Sequence, residues 1–257
     1  MDTIDVAVLT KNSEKTLPTI LNEIVEKIPV NQLIIVDGCS TDHTVRIAKD
    51  YADQILTENQ GVGYARQIAL RQITTPLMAY IDSDLTHIQR DWYHRIAPHF
   101  NDPATAWVCG VPVFGAGTPP LEKLSQYHVA RRKPFITLSN TMLRTEAVRK
   151  IGGFKHLCSA EDNDLKTRLE YAGYRCFTEY GVKVIHPRSI LENIRHNQWY
   201  ARGAARRGIP LRKACLHPLL ALREAATLAL RVHPTFLVLT PLKGILWLDS
   251  YAKELKQ

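Results

Sequence analysis

The 257 residues contain no Cys-x-x-Cys pair, and the five cysteines, Cys39, Cys109, Cys158, Cys176 and Cys215, are odd in number and widely scattered. That excludes a ribbon-type structural zinc site and a disulfide framework, and it points to a reducing compartment such as the cytoplasm. No uninterrupted apolar run approaches the roughly 20 residues that a bilayer-crossing helix needs. The opening stretch MDTIDVAVLT has two acids and no basic segment, so it does not read as a signal peptide. Aromatic residues are too few among the arginines to build a stacking platform, so the basic charge does not read as a nucleic-acid footprint. The glycine-containing stretch NQGVGYARQ lacks the Lys-Ser/Thr ending of a phosphate-binding Walker loop; its Gly61 and Gly63 read instead as a tight strand-to-helix turn. No Ser-His-Asp or Cys-His set, internal repeat or low-complexity run is present.

What the chain does have is enough apolar sequence, 45%, to bury a core, and an uneven charge. Residues 188–231 carry nine Arg or Lys against two acids, Glu192 and Glu224, so +7 of the formal +8 lies in that window. The excess is local, and a local partner is expected for it.

Four alternations of strand and helix open the chain. IDVAVLT, QLIIVDG, DQILTE and PLMAYID read as strands with near-continuous apolar character. Between them lie helices with apolar residues at helical spacing, the first capped by Asn12 or Ser13 and the second by Ser40 or Thr41. This pattern predicts an α/β fold whose mostly parallel central sheet is covered by helices on both faces. Downstream, ATAWVCGVPVF and ITLSNTMLR read as strands, GAGTPPLEKLSQYHVARRKPF as irregular, SAEDNDLKTRLEYAG as a helix and YRCFTEYGVKVIH as two short strands. From about residue 188 the text is helical and basic, which sets expected boundaries of 1–187 for the α/β domain and 188–257 for a helical C-terminal region. Pro218, Pro234 and Pro241 are expected to divide that region into short helices.

Carboxylates gather at the ends of these elements: Asp37 after LIIV, Asp82 and Asp84 around Ser83 in MAYIDSD, and Glu161, Asp162 and Asp164 at the start of a helix. Acids collected at one sheet edge repel and need a cation or donors, and hard oxygen ligands select Mg²⁺ or Mn²⁺. An ion so held completes its shell with phosphate oxygens and water. His186, closing VKVIH, is open to three readings: a third ligand, a phosphate contact, or a satisfied structural histidine.

In their order, VAVLTKNSEKTL, IIVDGCSTDHT, GVGYARQIAL, MAYIDSDL, SNTMLRTEAVRKIGGF, SAEDNDLKTRLEYAGY and VIHP resemble the family 2 inverting glycosyltransferases of the GT-A fold, the group that contains polyprenyl-phosphate sugar synthases. The resemblance spans residues 4–187. It implies a metal-dependent enzyme that moves a sugar from a nucleotide-diphospho-sugar. Thr10 would border the base, Asp37 would bond the base or ribose, and Asp82 would lie by the ribose or sugar. Asp84 would hold the metal, with Asp82 beside it and His186 completing the metal site or touching the diphosphate. Asp162 would be the general base, with Glu161 as its neighbour. Arg66 can reach the donor or serve the structure. Gly38 follows Asp37 where many relatives have a second aspartate, which removes a second carboxylate contact to the base. IRHNQWYARG stands in place of the Gln-x-x-Arg-Trp of processive members, so a single sugar per encounter is expected. Arg195, Trp199 and Arg202, spaced along one helical face, are expected to close over the diphosphate or acceptor.

The resemblance favours GDP-mannose or UDP-glucose as donor and a lipid-phosphate or glycolipid acceptor. Two readings of the leucine-rich, arginine-dotted stretch 211–248 stay open: packing on the core, or peripheral contact with an anionic membrane surface at its cytoplasmic face. Other functional classes are a transferase acting on a small soluble acceptor, a nucleotidyltransferase, and a catalytically silent interaction protein.

Overall fold

A computed structural model describes residues 3–114, 117–132 and 134–256. Met1 and Asp2 of the opening stretch, and Gly115, Ala116 and Lys133 of the segment expected to be irregular, lie outside the described residues. The chain falls into two compact units, one of residues 1–112, 132–156 and 161–186, the other of residues 113–131, 157–160 and 187–257.

In the first unit, β1 (Ile4–Thr10), α1 (Leu17–Lys27), β2 (Val30–Asp37), α2 (Thr44–Ala48), β3 (Gln54–Thr57), α3 (Val62–Gln72) and β4 (Leu77–Asp82) follow the expected alternation. Then come a two-residue β5 (His87–Ile88), α4 (Trp92–Ile96) and β6 (Thr105–Phe114). After α5 (Pro119–Ala130), which belongs to the second unit, the chain returns with β7 (Asn140–Arg144), α6 (Thr145–Lys150), α7 (Glu161–Tyr171) and β8 (Arg175–His186). The strands form one eight-stranded sheet in the order β3-β2-β1-β4-β7-β6-β8-β5. β1 pairs in parallel with β2 and with β4, and β2 with β3, while β4/β7, β6/β7 and β5/β8 are antiparallel.

Period-2 alternation sorts the strand residues into two cores. Val6 and Val8 face one side with Leu17, Ile20, Leu21 and Ile24 of α1, and Ala7 faces the other with Ala65, Ala69 and Leu70 of α3 and Leu165 and Leu169 of α7. A sheet covered on both faces explains why its strands read as continuous apolar runs rather than alternating ones. From β1 the chain moves to β2 and β3 on one side, then crosses to β4 on the other. The C-terminal ends of β1 and β4 therefore flank a topological switch point, where sheets of this class leave a crevice.

The second unit holds α5, α8 (Ile190–Arg206), α9 (Leu211–Ala214), α10 (Leu216–Arg231) and α11 (Phe236–Glu254). Trp247 and Tyr251 pack with Ala201, Ala204 and Ala205 of α8, while Phe236 and Leu239 pack with Leu121 of α5.

Several local expectations are corrected. α1 begins at Leu17 after Thr16, not after Asn12 or Ser13, and α2 begins at Thr44, whose N–H donates to Asp42 Oδ1 at 3.0 Å. The side chains of Asn12 and Ser40 are instead engaged between turns, which removes them as caps: Ser40 Oγ accepts from Asn12 N at 2.8 Å and Asn12 Oδ1 from Thr41 N at 2.8 Å. The segment read as irregular contains α5, because Pro119 and Pro120 fall in its first turn, where a missing N–H costs nothing. YRCFTEYGVKVIH forms one strand of 12 residues, running through Gly181. Of the three late prolines only Pro234 separates helices; Pro218 sits in the first turn of α10, and α11 continues through Pro241.

Gly110 of β6 marks the tightest approach in the first unit's sheet. A Cβ built there would lie 2.5 Å from Asn140 Oδ1 and 2.8 Å from Val182 Cγ1. Gly110→Ala is expected to lower unfolding stability by about 2 kcal/mol through overpacking, as measured by urea denaturation.

Candidate active site

Three strand ends open on the crevice. Thr10, Asp37 and Asp82 are the last residues of β1, β2 and β4, and register places Thr10 beside Asp37 and Leu9 beside Asp82. The Asp37 carboxylate is buried and accepts from Ser40 N at 2.9 Å and Ser40 Oγ at 2.5 Å. Thr10 Oγ1 is buried without a hydrogen-bond partner among the described residues, so a ligand group can satisfy it. The turns after β1 and β2 are laced together. Asn12, in the left-handed region at φ 49°, accepts from Thr41 N at 2.8 Å, and Glu14 N donates to Asp42 Oδ2 at 3.2 Å. Together with Lys11, Lys15, Ser83 and Asp84 these turns wall a cavity of about 510 Å³. Gly38 fits because a Cβ there would already stand 3.3 Å from Lys11 Cδ; a second aspartate would need that lysine to move.

The Asp-Ser-Asp turn meets the end of β8. β5 pairs His87 with Ile185, and Thr86 N donates to Ile185 O at 3.0 Å, which carries the neighbouring His186 to the turn. His186, 3% exposed, places Nε2 3.3 Å from Asp84 Oδ1, while the Asp84 side chain is half exposed. One ligand atom each from Asp82, Asp84 and His186 lies within 4.8 Å of the others. Two carboxylate oxygens and one imidazole nitrogen form a hard-to-borderline donor set that fits Mg²⁺ or Mn²⁺ and leaves positions for phosphate oxygens and water. Of the three open readings of His186, this geometry favours the ligand.

Behind the turn lies a buried charge network. Arg66, 5% exposed, sends Nε to Glu161 Oε1 at 3.1 Å and Nη2 to Asp82 Oδ1 at 3.5 Å. Its guanidinium carbon lies 5.0 Å from the centroid of the Tyr80 ring, and the Tyr80 hydroxyl donates back to Arg66 O at 2.7 Å. Burial works against the charge of Arg66, but Glu161 and Asp82 outweigh it and hold its pKa raised.

Asp162 is buried beside this network without a cation of its own. Burial first, and the charge of Glu161 second, push its pKa up to about 6, against the opposing hydrogen bonds from Asn163 and the field of Arg66. Asn163 N donates to Asp162 Oδ1 at 2.8 Å. A carboxylate of this pKa is a stronger base than an ordinary aspartate and is still ionised at neutral pH.

The first unit thus brings together Thr10, Asp37, Arg66, Asp82, Asp84, Glu161, Asp162 and His186. Arg195, Trp199 and Arg202 lie on α8 in the second unit, both arginines exposed, with Trp199 stacked obliquely on His196 at 5.5 Å. Sequence reasoning missed Tyr80, the platform for Arg66, because it reads as one more apolar strand residue. It also missed Lys11 and Lys15, whose place in the cavity wall depends on how two turns interlock.

Comparison with known proteins adds the following. The profile of Glycosyl transferase family 2 matches residues 5–158. A pre-mycofactocin glycosyltransferase of Mycobacterium tuberculosis is 30% identical over 175 residues, 62% of this chain and 36% of that protein; the chain thus spans about a third of the length of that relative. Among solved structures, the mannosyltransferase PcManGT of Pyrobaculum calidifontis, in complex with GDP-Man and Mn²⁺, superposes with a TM-score of 0.65 at 20% identity, covering 100% of this chain and 75% of its own. Glucosyl-3-phosphoglycerate synthase of M. tuberculosis, in complex with Mn²⁺, UDP and glucosyl-3-phosphoglycerate, gives 0.55 at 19% identity, covering 81% of each chain. At these identities the two structures share the fold with this chain.

Two outcomes follow from the charge network. Arg66→Ala leaves Glu161 and Asp82 facing each other without their cation and is expected to cost roughly 3–5 kcal/mol in denaturant unfolding. For Asp162 the folded-state pKa of about 6 lies above the ordinary 3.8, so its buried charge penalises folding fully above pH 6 and not at all below pH 3.8. Asp162→Asn is therefore expected to stabilise the free protein at pH 8, by on the order of 2 kcal/mol, and the gain should shrink as pH falls toward 4. Thermal melts of both proteins across that range measure it.

Proposed function

The chain belongs to glycosyl transferase family 2, and from that premise we propose that it transfers one sugar, with inversion, from a nucleotide-diphospho-sugar to a lipid-linked acceptor. The observation that carries the reading is a buried, basic Asp162 in the same unit as the Asp82, Asp84 and His186 cluster. Residues 1–187 form the catalytic domain of this reading and residues 188–257 a basic helical region that serves the acceptor.

Thr10 and Asp37 receive the base and ribose, and Asp82 the ribose or sugar. Asp84, Asp82 and His186 would hold Mg²⁺ or Mn²⁺, which when bound supplies positive charge to the departing diphosphate. Asp162 takes the proton from the acceptor hydroxyl or phosphate as that oxygen attacks the anomeric carbon and the bond from that carbon to the diphosphate oxygen breaks. A single in-line displacement needs no enzyme nucleophile, which agrees with a site made of carboxylates, one arginine and one histidine. Glu161 holds Arg66 by its Nε, and Arg66 serves the donor site with Nη2 toward Asp82. Arg195, Trp199 and Arg202 close over the diphosphate or acceptor.

GDP-mannose and UDP-glucose are the favoured donors. A lipid-phosphate or glycolipid acceptor brings with it peripheral contact between the basic C-terminal region and an anionic membrane surface, at its cytoplasmic face. Among the described residues no helix is long and apolar enough to cross a membrane. The structural neighbour crystallised with a small phosphorylated acceptor product supports a second reading, transfer to a small soluble acceptor, on the same site.

A panel of UDP- and GDP-sugars, scored for nucleoside diphosphate release with and without Mn²⁺ or Mg²⁺ and again with a membrane lipid extract, tests the proposal. One donor should be turned over only with metal, and extract should stimulate it. Asp162→Asn should lose roughly 10²–10⁴-fold in kcat with donor affinity retained, and Asp84→Asn should raise the metal concentration required. Full turnover in Asp162→Asn would discard the assigned base, and stimulation by a soluble phosphorylated acceptor but not by lipid would decide for the second reading.

A further inference from the structure

α10 inverts the usual pattern of a packed helix. It buries Ala221 and Ala225, and Ala221 comes so close to α11 that a Cβ on Gly244 would stand 2.8 Å from its own. Most of its leucines point the other way: Leu216, Leu219, Leu220 and Leu230, with Arg223, Ala226 and Thr227 at the same three- and four-residue steps, are exposed, Leu230 to 88%. α11 buries large side chains, Phe236, Leu239, Trp247 and Tyr251, yet it too leaves apolar ones outside, Val238, Leu242 and Ile245. Ten of the sixteen exposed large apolar side chains among the described residues fall between Leu211 and Ile245. Solvent is a poor medium for such a face, and a monomer rarely leaves one bare without a use for it.

We propose that the outward faces of α10 and α11 dock on an anionic lipid bilayer, with both helices lying in its interface. In purpose this rests on the membrane-borne acceptor proposed above; in evidence it stands on side chains of the second unit alone. Charge selects the occupant. Residues 211–248 hold five basic residues, Arg212, Lys213, Arg223, Arg231 and Lys243, against the single acid Glu224. Arg212, Lys213, Arg223 and Arg231 are exposed along with the leucines. Leucine, valine and isoleucine interspersed with arginine, whose stem can lie along apolar surface while its head reaches a phosphate, suit acyl chains below phosphate headgroups. A protein partner would be met by aromatic anchors, and the large aromatics of these two helices, Phe236, Trp247 and Tyr251, are spent inside.

Flotation of the full chain with vesicles of phosphatidylcholine alone, or mixed two to one with phosphatidylserine, tests the proposal. The mixed vesicles should bind, and omission of phosphatidylserine or addition of high salt should weaken binding by roughly tenfold or more. Leu219→Glu with Leu230→Glu should abolish flotation, and Arg223→Glu with Arg231→Glu should remove the preference for phosphatidylserine. Val25→Glu, an exposed apolar site in the first unit, should change nothing. Circular dichroism checks that both double variants keep their helices. Absence of flotation, or flotation indifferent to the leucine variant, overturns the proposal. So does a concentration-dependent dimer that the leucine variant dissolves, which would assign the face to a second copy. Nucleoside diphosphate release measured without vesicles should be equal in all variants. If that release is absent while flotation holds, sugar transfer fails and the docking face stands.

Discussion

Everything at the crevice depends on how one buried arginine is shared. Like charges about 4 Å apart near a protein surface repel by roughly 4 kcal/mol, and this sheet edge gathers carboxylates from three distant segments. Arg66 offsets two of them, Glu161 and Asp82, and takes its own support from the Tyr80 ring beneath it. Asp162 is left outside that exchange. The distribution of one cation therefore differentiates chemically similar side chains: the carboxylates that Arg66 holds are fixed in place by ion pairs, and the one it does not hold keeps a raised pKa. Had Arg66 paired with Asp162 instead, the attraction would have pulled that pKa down and made a weaker base.

Topology supplies the other half. β1, β2 and β4 run parallel, so their last residues share one edge whatever the sequence distance between them. The antiparallel strands then add what parallel ones cannot. β7 runs against β4, so its start, Ser139 and Asn140, lies at the same edge, with Ser139 O accepting from Asp82 N at 2.9 Å. β8, ending against β5, carries a buried histidine to the half-exposed Asp84. Mixed pairing is thus how a sheet of this kind brings residues near 82 and 186 to the same place.

These features differ in how far the sequence reveals them. Strand ends were legible, because a carboxylate closing an apolar run has few other reasons to be there, and so were the acids opening α7. The Arg66–Glu161 contact was not, since 95 residues separate its partners and nothing local marks them. Cap positions are misplaced for a related reason: Asn12 and Ser40 carry the right side chains for capping but use them to tie one turn to the other. α5 was hidden by prolines that, in a first turn, do no harm. Helix propensity and turn chemistry are local, whereas loop-to-loop hydrogen bonds and buried ion pairs are settled only when the chain closes on itself.

The second unit shows the same lesson applied to apolar residues. Hydrophobic periodicity in α10 correctly signals a helix with one apolar face, yet that face is not the one it packs on. Alanines and Gly244 make the contact, because small side chains let two helices approach closely and gain dispersion contacts over their backbones. Transfer free energy is then left unclaimed on the leucines, and the helix pair depends for stability on close fit more than on buried area. An amphipathic pattern therefore identifies an interface without saying what lies across it. What the structure adds is which residues of the pattern are already covered, and in α10 these are Ala221 and Ala225.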